Sequence, residues 1–340
     1  MSDNERDVEE RLVFLLSAPR SGSTLLMRIL NATSEVYARS EPHIFPPLAH
    51  LGFWECVDTA PYDQLQAQQA MRDIVQEFSD GEEGYYRACR AYTDHLYRRI
   101  LMQTDKRYFL DKTPANALVL PFIQRVYPRA KYIVLTRHPA AILSSYAHSF
   151  FDGDYHAAHT FNPILSRYIP VLSDLIRSGM SNVQVVSYEQ VVREPENTLA
   201  KLSEFMNISF EADALNYQKE SVSEGLGDPI GVQKHQRPVT NSVDKWVAEF
   251  RDNAFPKSIV DAQLKGVSDI ALETFGYPID SLWDALSTGE EGQAPRPSGS
   301  INRYQLERKI LVALRRDIHR RPHGRLVRKV RRFCDILLRG

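Results

Sequence analysis

Three short stretches hold the residue types from which an anion-handling site is built. The first is Ala18-Pro19-Arg20-Ser21-Gly22-Ser23-Thr24. Between a strand and a helix, such a loop is an anion cradle, because backbone N–H groups and the helix dipole converge on one spot. Arg20 adds a full positive charge with a bidentate fork, and Thr24 adds a hydroxyl donor. The second stretch is Thr136-Arg137-His138-Pro139, with Ser144 and Ser145 following. Arg137 closes an apolar run, at the sheet edge where open α/β folds bind ligands. Ser145 lies eight residues on, about two turns into a helix begun at Pro139. Together they can grip one phosphate; alone they read more simply as a strand-end arginine and a helix serine packed on the sheet. The third stretch, Ala38-Arg39-Ser40-Glu41-Pro42, sets a carboxylate 21 residues after Arg20. Without further information it is a surface glutamate before a proline turn. The first loop approaches the Walker A pattern G-x-x-x-x-G-K-[ST], but Ser17 replaces its first glycine and Ser23 its lysine, which argues against ATP hydrolysis.

These stretches need elements to hold them. Residues 12–17, LVFLLS, are a continuous apolar run ending before Pro19 and read as a buried parallel strand. Gly22 to Leu30 has helical spacing. So do 64–78, 84–103, 115–126, Pro139 through Tyr146, and 161–178. Tyr108 to Leu110, 131–136 and 183–187 read as further strands. Alternating strands and helices imply an α/β fold: a parallel sheet of about four to five strands flanked by helices. Residues 221–241 read as a long loop, of a length that is usually functional or mobile. Residues 288–300, with Gly289, Gly292, Pro295, Pro297 and Gly299, read as a linker. The expected organisation is a main domain over 1–287, the linker at 288–300, and a basic helical extension at 301–340.

Composition is that of a globular chain: of 340 residues, 43% are apolar and 25% charged. Disordered, collagen-like and disulfide-stapled classes are excluded. No run of 18 apolar residues offers a membrane span. Residues 1–11 carry five acids, unlike a secretory signal, and Cys56, Cys89 and Cys334 are scattered like free thiols. These features give a cytoplasmic expectation. The net charge of −1 hides an asymmetry. Residues 301–340 hold 13 Lys/Arg against three acids, a net of +10, which leaves the body at −11.

The loop Pro19-Arg20-Ser21-Gly22-Ser23-Thr24 resembles the 5′-phosphosulfate loop of sulfotransferases that use 3′-phosphoadenosine 5′-phosphosulfate (PAPS). Its Pro-Arg-Ser-Gly form is similar to tyrosylprotein sulfotransferases and bacterial relatives. Four further segments resemble the family in order over roughly residues 12–250: Asp111-Lys112-Thr113-Pro114, Arg137 with Ser145, Ser187-Tyr188-Glu189-Gln190, and Lys245-Trp246. The resemblance implies a P-loop nucleotide-binding fold and metal-independent transfer of a sulfuryl group from PAPS, leaving PAP. It implies that Arg20, Ser21, Gly22, Ser23 and Thr24 hold the 5′ side of the nucleotide. Arg137, Ser145 and Lys245 would meet the 3′-phosphate, with Tyr188 near the nucleotide. Lys112 and Arg20 would sit beside the sulfuryl group. Glu41 has the offset from Arg20 that the tyrosylprotein group's catalytic glutamate has, which makes it the expected base; His43 is its rival and His148 a weaker one. One departure is the loop from Gly231 to Val239, where no late serine matches clearly and Lys234, His235 and Arg237 stand instead.

The expected acceptor is a hydroxyl on a small molecule, lipid or tailored metabolite. Aromatic residues over 43–62 and 146–161 are candidates to wall its pocket, the second group as a lid. Most of those aromatics, taken singly, read as core. Within the tail, Leu306, Ile310, Leu314 and Ile318, then Leu326, Val330, Phe333 and Leu337, recur at helical spacing. Three partners suit two basic amphipathic helices: the acidic body, an anionic membrane as a peripheral contact, or an acidic protein. Nucleic acid is not expected, and oligomeric state stays open. Two other functions compete: a nucleotide or metabolite kinase, disfavoured by Ser23 in place of lysine, and a non-catalytic nucleotide-binding module.

Overall fold

The computed structural model describes residues 7–54, 64–217, 237–238 and 243–287, with the isolated residues 326 and 330. Five strands form one sheet: β1 Leu12–Ser17, β2 Val36–Ser40, β3 Tyr108–Lys112, β4 Lys131–Thr136 and β5 Val183–Ser187. Their order is β2-β3-β1-β4-β5, and every neighbouring pair is parallel. The connections carry helices α1 Ser23–Asn31, α2 Phe45–Ala49, α3 Gln64–Gln76, α4 Glu82–Leu101, α5 Leu120–Val126, α6 Pro139–Phe150, α7 Tyr155–Phe161 and α8 Ile164–Arg177. After β5 come α9 Tyr188–Arg193, α10 Pro195–Met206, α11 Lys245–Asp252, α12 Ala254–Leu264, α13 Asp269–Phe275 and α14 Asp284–Ser287.

The sheet is covered on both faces, which is why LVFLLS is apolar without alternation. Phe14 and Leu16 enter one core, with Phe45, Phe109, Tyr127 and Tyr132. Val13 and Leu15 enter the other, with Leu26, Ile133, Leu135 and Tyr188. All six residues of β1 are buried. A parallel strand buried on two faces must read this way. The chain moves outward from β1 to β2 on one side, then crosses from β3 over to β4 on the other. The change of direction opens a crevice at the carboxyl edge, where such sheets take ligands.

The sheet confirms the α/β expectation and adds a fifth strand, β2, that periodicity does not reveal. VYARS is short, and Arg39 and Ser40 break its apolar pattern; pairing with β3 alone, at the sheet edge, forms it. Two helices also differ. The expected helix over 115–126 starts as a tight 3-10 turn at Pro114–Val119 before α5. The expected helix over 161–178 breaks at Asn162, which is extended at φ −157° and ψ 109°. Pro163 follows it, and the residue before a proline is driven out of the helical region. Cys89 is a buried free thiol; Cys56 and Cys334 lie outside the described residues, as do the linker and nearly all of the tail. Among the described residues no helix is long and apolar enough to cross a membrane.

Candidate active site

Five of the segments singled out for chemistry leave the sheet at its carboxyl edge; Lys245-Trp246 is the exception. β1 ends at Ser17 and feeds the loop 18–22 into α1. β2 ends at Ser40, next to Glu41. β3 ends at Lys112, β4 precedes Arg137, and β5 precedes Tyr188. The loop turns tightly, with the Ser21 N–H donating to the Ala18 carbonyl at 3.3 Å. Gly22 then caps α1 at φ 92°, with no side chain capping the helix. Leu25 donates its N–H to the Gly22 carbonyl at 3.0 Å, while the N–H groups of Ser23 and Thr24 start the helix without intrahelical partners. A Cβ at Gly22 would collide with the Tyr188 ring. Glycine is needed here twice, for its backbone angle and for the approach of that ring.

Tyr188 also meets the second arginine. The Arg137 guanidinium lies 4.2 Å over its ring, and Arg137 is only 7% exposed. Burial pulls the Arg137 pKa down, while Tyr188 and Glu189 oppose that and Arg20 adds to it. Arg137 donates to the Arg20 carbonyl at 2.9 Å. Arg20 itself, at φ 69°, donates from Nε to the Ser145 hydroxyl at 3.2 Å and spreads over the Phe150 ring at 5.8 Å. Arg20, Arg137, Ser145 and Tyr188 thus form one contiguous group. Ser145 bonds the loop arginine here, so the two expected anion positions adjoin each other.

Glu41 and Lys112 come from neighbouring strands. Ser40 pairs with Lys112 in register, so the residue after Ser40 stands over the lysine. The Lys112 ammonium, 1% exposed, donates to Glu41 Oε1 at 3.0 Å. The Glu41 N–H donates to the Lys112 carbonyl at 2.8 Å. His43 Nε2 lies 3.5 Å from Glu41 Oε2. The expected base, its rival and the expected lysine are therefore one cluster. Beside it Tyr168 is 4% exposed; burial first, and the Glu41 charge among smaller causes, push its pKa up to about 12.

Asp111, next to Lys112, is buried on the far side of β3. It accepts from the hydroxyls of Tyr97 at 2.9 Å and Thr113 at 2.8 Å, and from Asn116 Nδ2 at 3.1 Å. Burial raises its pKa to about 6 against those hydrogen bonds. It fixes the turn that follows Lys112. Sequence reading includes Asp111 in a motif but gives it no task; its partner Tyr97 lies in a helix and carries no local signal. The Lys245 segment begins α11. Its Trp246 stacks on His138 with centroids 4.2 Å apart. His138 accepts from the Ala140 N–H and faces the Leu282 carbonyl with Nε2 at 2.9 Å; burial lowers its pKa to about 4.

The aromatic segments divide as their burial dictates. Phe45, Phe151 and Tyr155 are core residues, whereas Phe150 and Phe161 are exposed. The expected lid segment is largely helix α7, seated by Tyr155 and Ala158. His148, the weaker rival base, instead meets Glu249. Arg237 donates to Asn216 Oδ1 at 2.7 Å; Lys234 and His235 lie outside the described residues. Among the described residues no group of three or more His, Cys, Asp or Glu side chains is arranged to hold a metal.

The residues suit an anionic ligand. The Ser17 and Ser21 hydroxyls are buried at the loop without a hydrogen-bond partner. Buried polar atoms are normally satisfied, so these two mark strain in the loop beneath the anion position. The open first turn of α1 and the two adjacent arginines supply anion binding at the same edge.

Fold and site together define a P-loop-type α/β protein with an anion site at the carboxyl edge of its sheet. Residues 13–212 match the family model described as Sulfotransferase family, and the chain belongs to that family. It is similar to nodulation protein NoeE of Sinorhizobium fredii, 27% identical over 211 residues, covering 56% of this chain and 48% of that one. The chain thus spans about half the length of that relative. Protein-tyrosine sulfotransferase A of Caenorhabditis elegans is 22% identical over 289 residues, covering 81% and 70% respectively. Among solved structures, the sulfotransferase domain of the Synechococcus PCC 7002 olefin synthase aligns with a TM-score of 0.54 at 25% identity, over 79% of this chain and 95% of that domain.

Proposed function

We propose that the chain moves a sulfuryl group from PAPS to a hydroxyl of a small molecule or lipid, by metal-independent in-line transfer with Glu41 as the base. The observation that carries this reading is the Lys112–Glu41 pair at 3.0 Å, set at the same sheet edge as the Arg20 loop. Sulfuryl transfer needs cations on the transferring group and a base for the acceptor proton. Arg20 and Lys112 supply the first and Glu41 the second. The first turn of α1 from Gly22 to Thr24, with Ser21, receives the 5′ side. Arg137, Ser145 and Lys245 receive the 3′-phosphate. Phe150, half exposed beneath Arg20, offers an apolar wall to the acceptor. The transferring unit is assigned to residues 1–287, with 288–300 as linker and 301–340 as a basic extension.

Thermal unfolding with PAP tests the nucleotide. A ligand at 100 times its Kd stabilises by about 2.7 kcal/mol, a shift of several degrees. The shift is expected with PAP and unchanged by a chelator. A shift only with ATP and magnesium would sink this reading in favour of a kinase. The base is tested by following transfer from labelled PAPS. Glu41→Gln is expected to lose about 100-fold or more in kcat while its PAP-induced shift persists. Retained activity there, with loss in His43→Asn, would hand the proton to the histidine.

A further inference from the structure

Lys245 stands apart from the other expected phosphate ligands in one respect: no sheet strand delivers it. It opens α11, so its place depends on how that helix is held against α6. Two contacts join it to α6, beside the packing of Trp246 and Phe250 on Trp283. Near the start of both helices, Trp246 stacks on His138, the residue that caps α6. Further along, Glu249 bridges two residues of α6. The Ser144 hydroxyl donates to Oε2 at 2.8 Å, and His148 Nε2 meets Oε1 at 2.8 Å. Ser144 and His148 are one turn apart and share a face of α6. Tyr155 of α7 lies beside the same cluster, its hydroxyl buried.

The order of these contacts matters. Trp246 meets position 138, and Glu249 meets positions 144 and 148, so the two helices run in the same sense. Lys245 and Glu249 are themselves one turn apart and share a face of α11. Fixing Glu249 on α6 therefore fixes the face that bears Lys245 beside the stretch of α6 between Arg137 and Ser145. The Glu249 carboxylate is kept ionised in this setting. Burial pushes its pKa up, but the hydrogen bond and charge of His148, with the nearby Tyr155 hydroxyl and the Ser144 hydrogen bond, leave it below its ordinary value.

We propose that Glu249 is a positioning residue of the nucleotide site: bound to Ser144 and His148, it holds α11 so that Lys245 reaches the same phosphate as Arg137 and Ser145. The inference rests on the PAPS reading above. It assigns the Ser144–Glu249–His148 cluster to discrimination for the 3′-phosphate and not to the transfer step.

The test compares PAP with AMP, which lacks the 3′-phosphate, by calorimetry on the full chain. Glu249→Ala is expected to raise the Kd for PAP about tenfold and to leave that for AMP within about twofold, a split that a general loss of structure would not produce. With PAPS, KM is expected to rise while kcat at saturation holds. Glu249→Gln keeps an acceptor for Ser144 and is expected to recover part of the PAP affinity, which also guards against a misfolded alanine variant. Because Glu249 acts through Lys245, the Lys245→Ala/Glu249→Ala double variant is expected to discriminate no worse than Lys245→Ala alone. Equal weakening of PAP and AMP, no change for PAP, or additive losses in the double variant would each overturn the proposal. An unsubstituted protein that binds PAP no better than AMP would instead remove the nucleotide reading, and the proposal with it.

Discussion

Backbone strain marks the chemistry at the scale of single residues. Five non-glycine residues have positive φ among those described, and three of them are Arg20, Glu41 and His43. Such conformations cost on the order of 1 kcal/mol each and persist where neighbours impose them. Here the imposing contacts are visible: the Arg20 carbonyl is held by Arg137, and the Glu41 N–H by the Lys112 carbonyl. The side chains of Arg20 and Glu41 are thus aimed before any ligand arrives. Gly22 is the position where this arrangement is most easily broken. Gly22→Ala adds a Cβ into the Tyr188 ring at φ 92°, and is expected to abolish the PAP-induced thermal shift. Gly276 is the control, because its φ is 97° but a Cβ there meets nothing within 4 Å. Gly276→Ala should lose about 1 kcal/mol of stability, the ordinary penalty of that conformation, and bind PAP normally. Wild-type PAP binding by Gly22→Ala would show that the close ring approach has no part in the site.

Two buried groups at element ends give the fold opposite responses to pH. Asp111, at the end of β3, has its pKa raised from 3.8 to about 6. The native state then holds more protons than the unfolded chain between those values, so its contribution falls as pH rises from about 4 to 6. His138, capping α6, is lowered from 6.5 to about 4. Its native state holds fewer protons there, so its contribution is present above 6.5 and is lost as pH falls toward 4. The two slopes oppose each other in the native protein. Relative to it, Asp111→Asn is expected to gain stability as pH rises from 4.5 to 6, and His138→Asn to lose it. Urea midpoints at a series of pH values read this, and parallel profiles for all three proteins would refute it. These elements also show what sequence makes legible. β1 and β4 are apolar runs that need no context, and the loop glycine and arginines follow them directly. β2 is hidden because only its register against β3 makes VYARS a strand, and Glu41 at its end stands out only through the offset from Arg20 that the family resemblance supplies. Glu249 gives no signal, because its partner Ser144 lies on another helix, 105 residues away in sequence.

Across the whole molecule, the two edges of the sheet divide stability from chemistry. The carboxyl edge holds the site, while the amino edge holds an ion network around Glu9, whose side chain is fully buried. Glu9 Oε2 lies 2.8 Å from Arg90 and 3.0 Å from Arg129, and Asp7 bonds both arginines at 2.7 Å. The network joins the segment before β1, the helix α4 and the segment before β4, so it fixes where two central strands begin. Removing one partner from a buried pair leaves the others desolvated and uncompensated, at a cost of about 3–5 kcal/mol. Arg129 is 62% exposed, so water relieves part of that, and about 2–3 kcal/mol is expected for Glu9→Ala. Because the sheet lies between this network and the site, the folded fraction should keep its affinity for PAP and its transfer rate. Urea denaturation and steady-state kinetics at low temperature measure the two quantities separately. A loss of PAP affinity comparable to the loss of stability would mean that the amino edge sets the geometry of the loop, and that the two edges are coupled through β1.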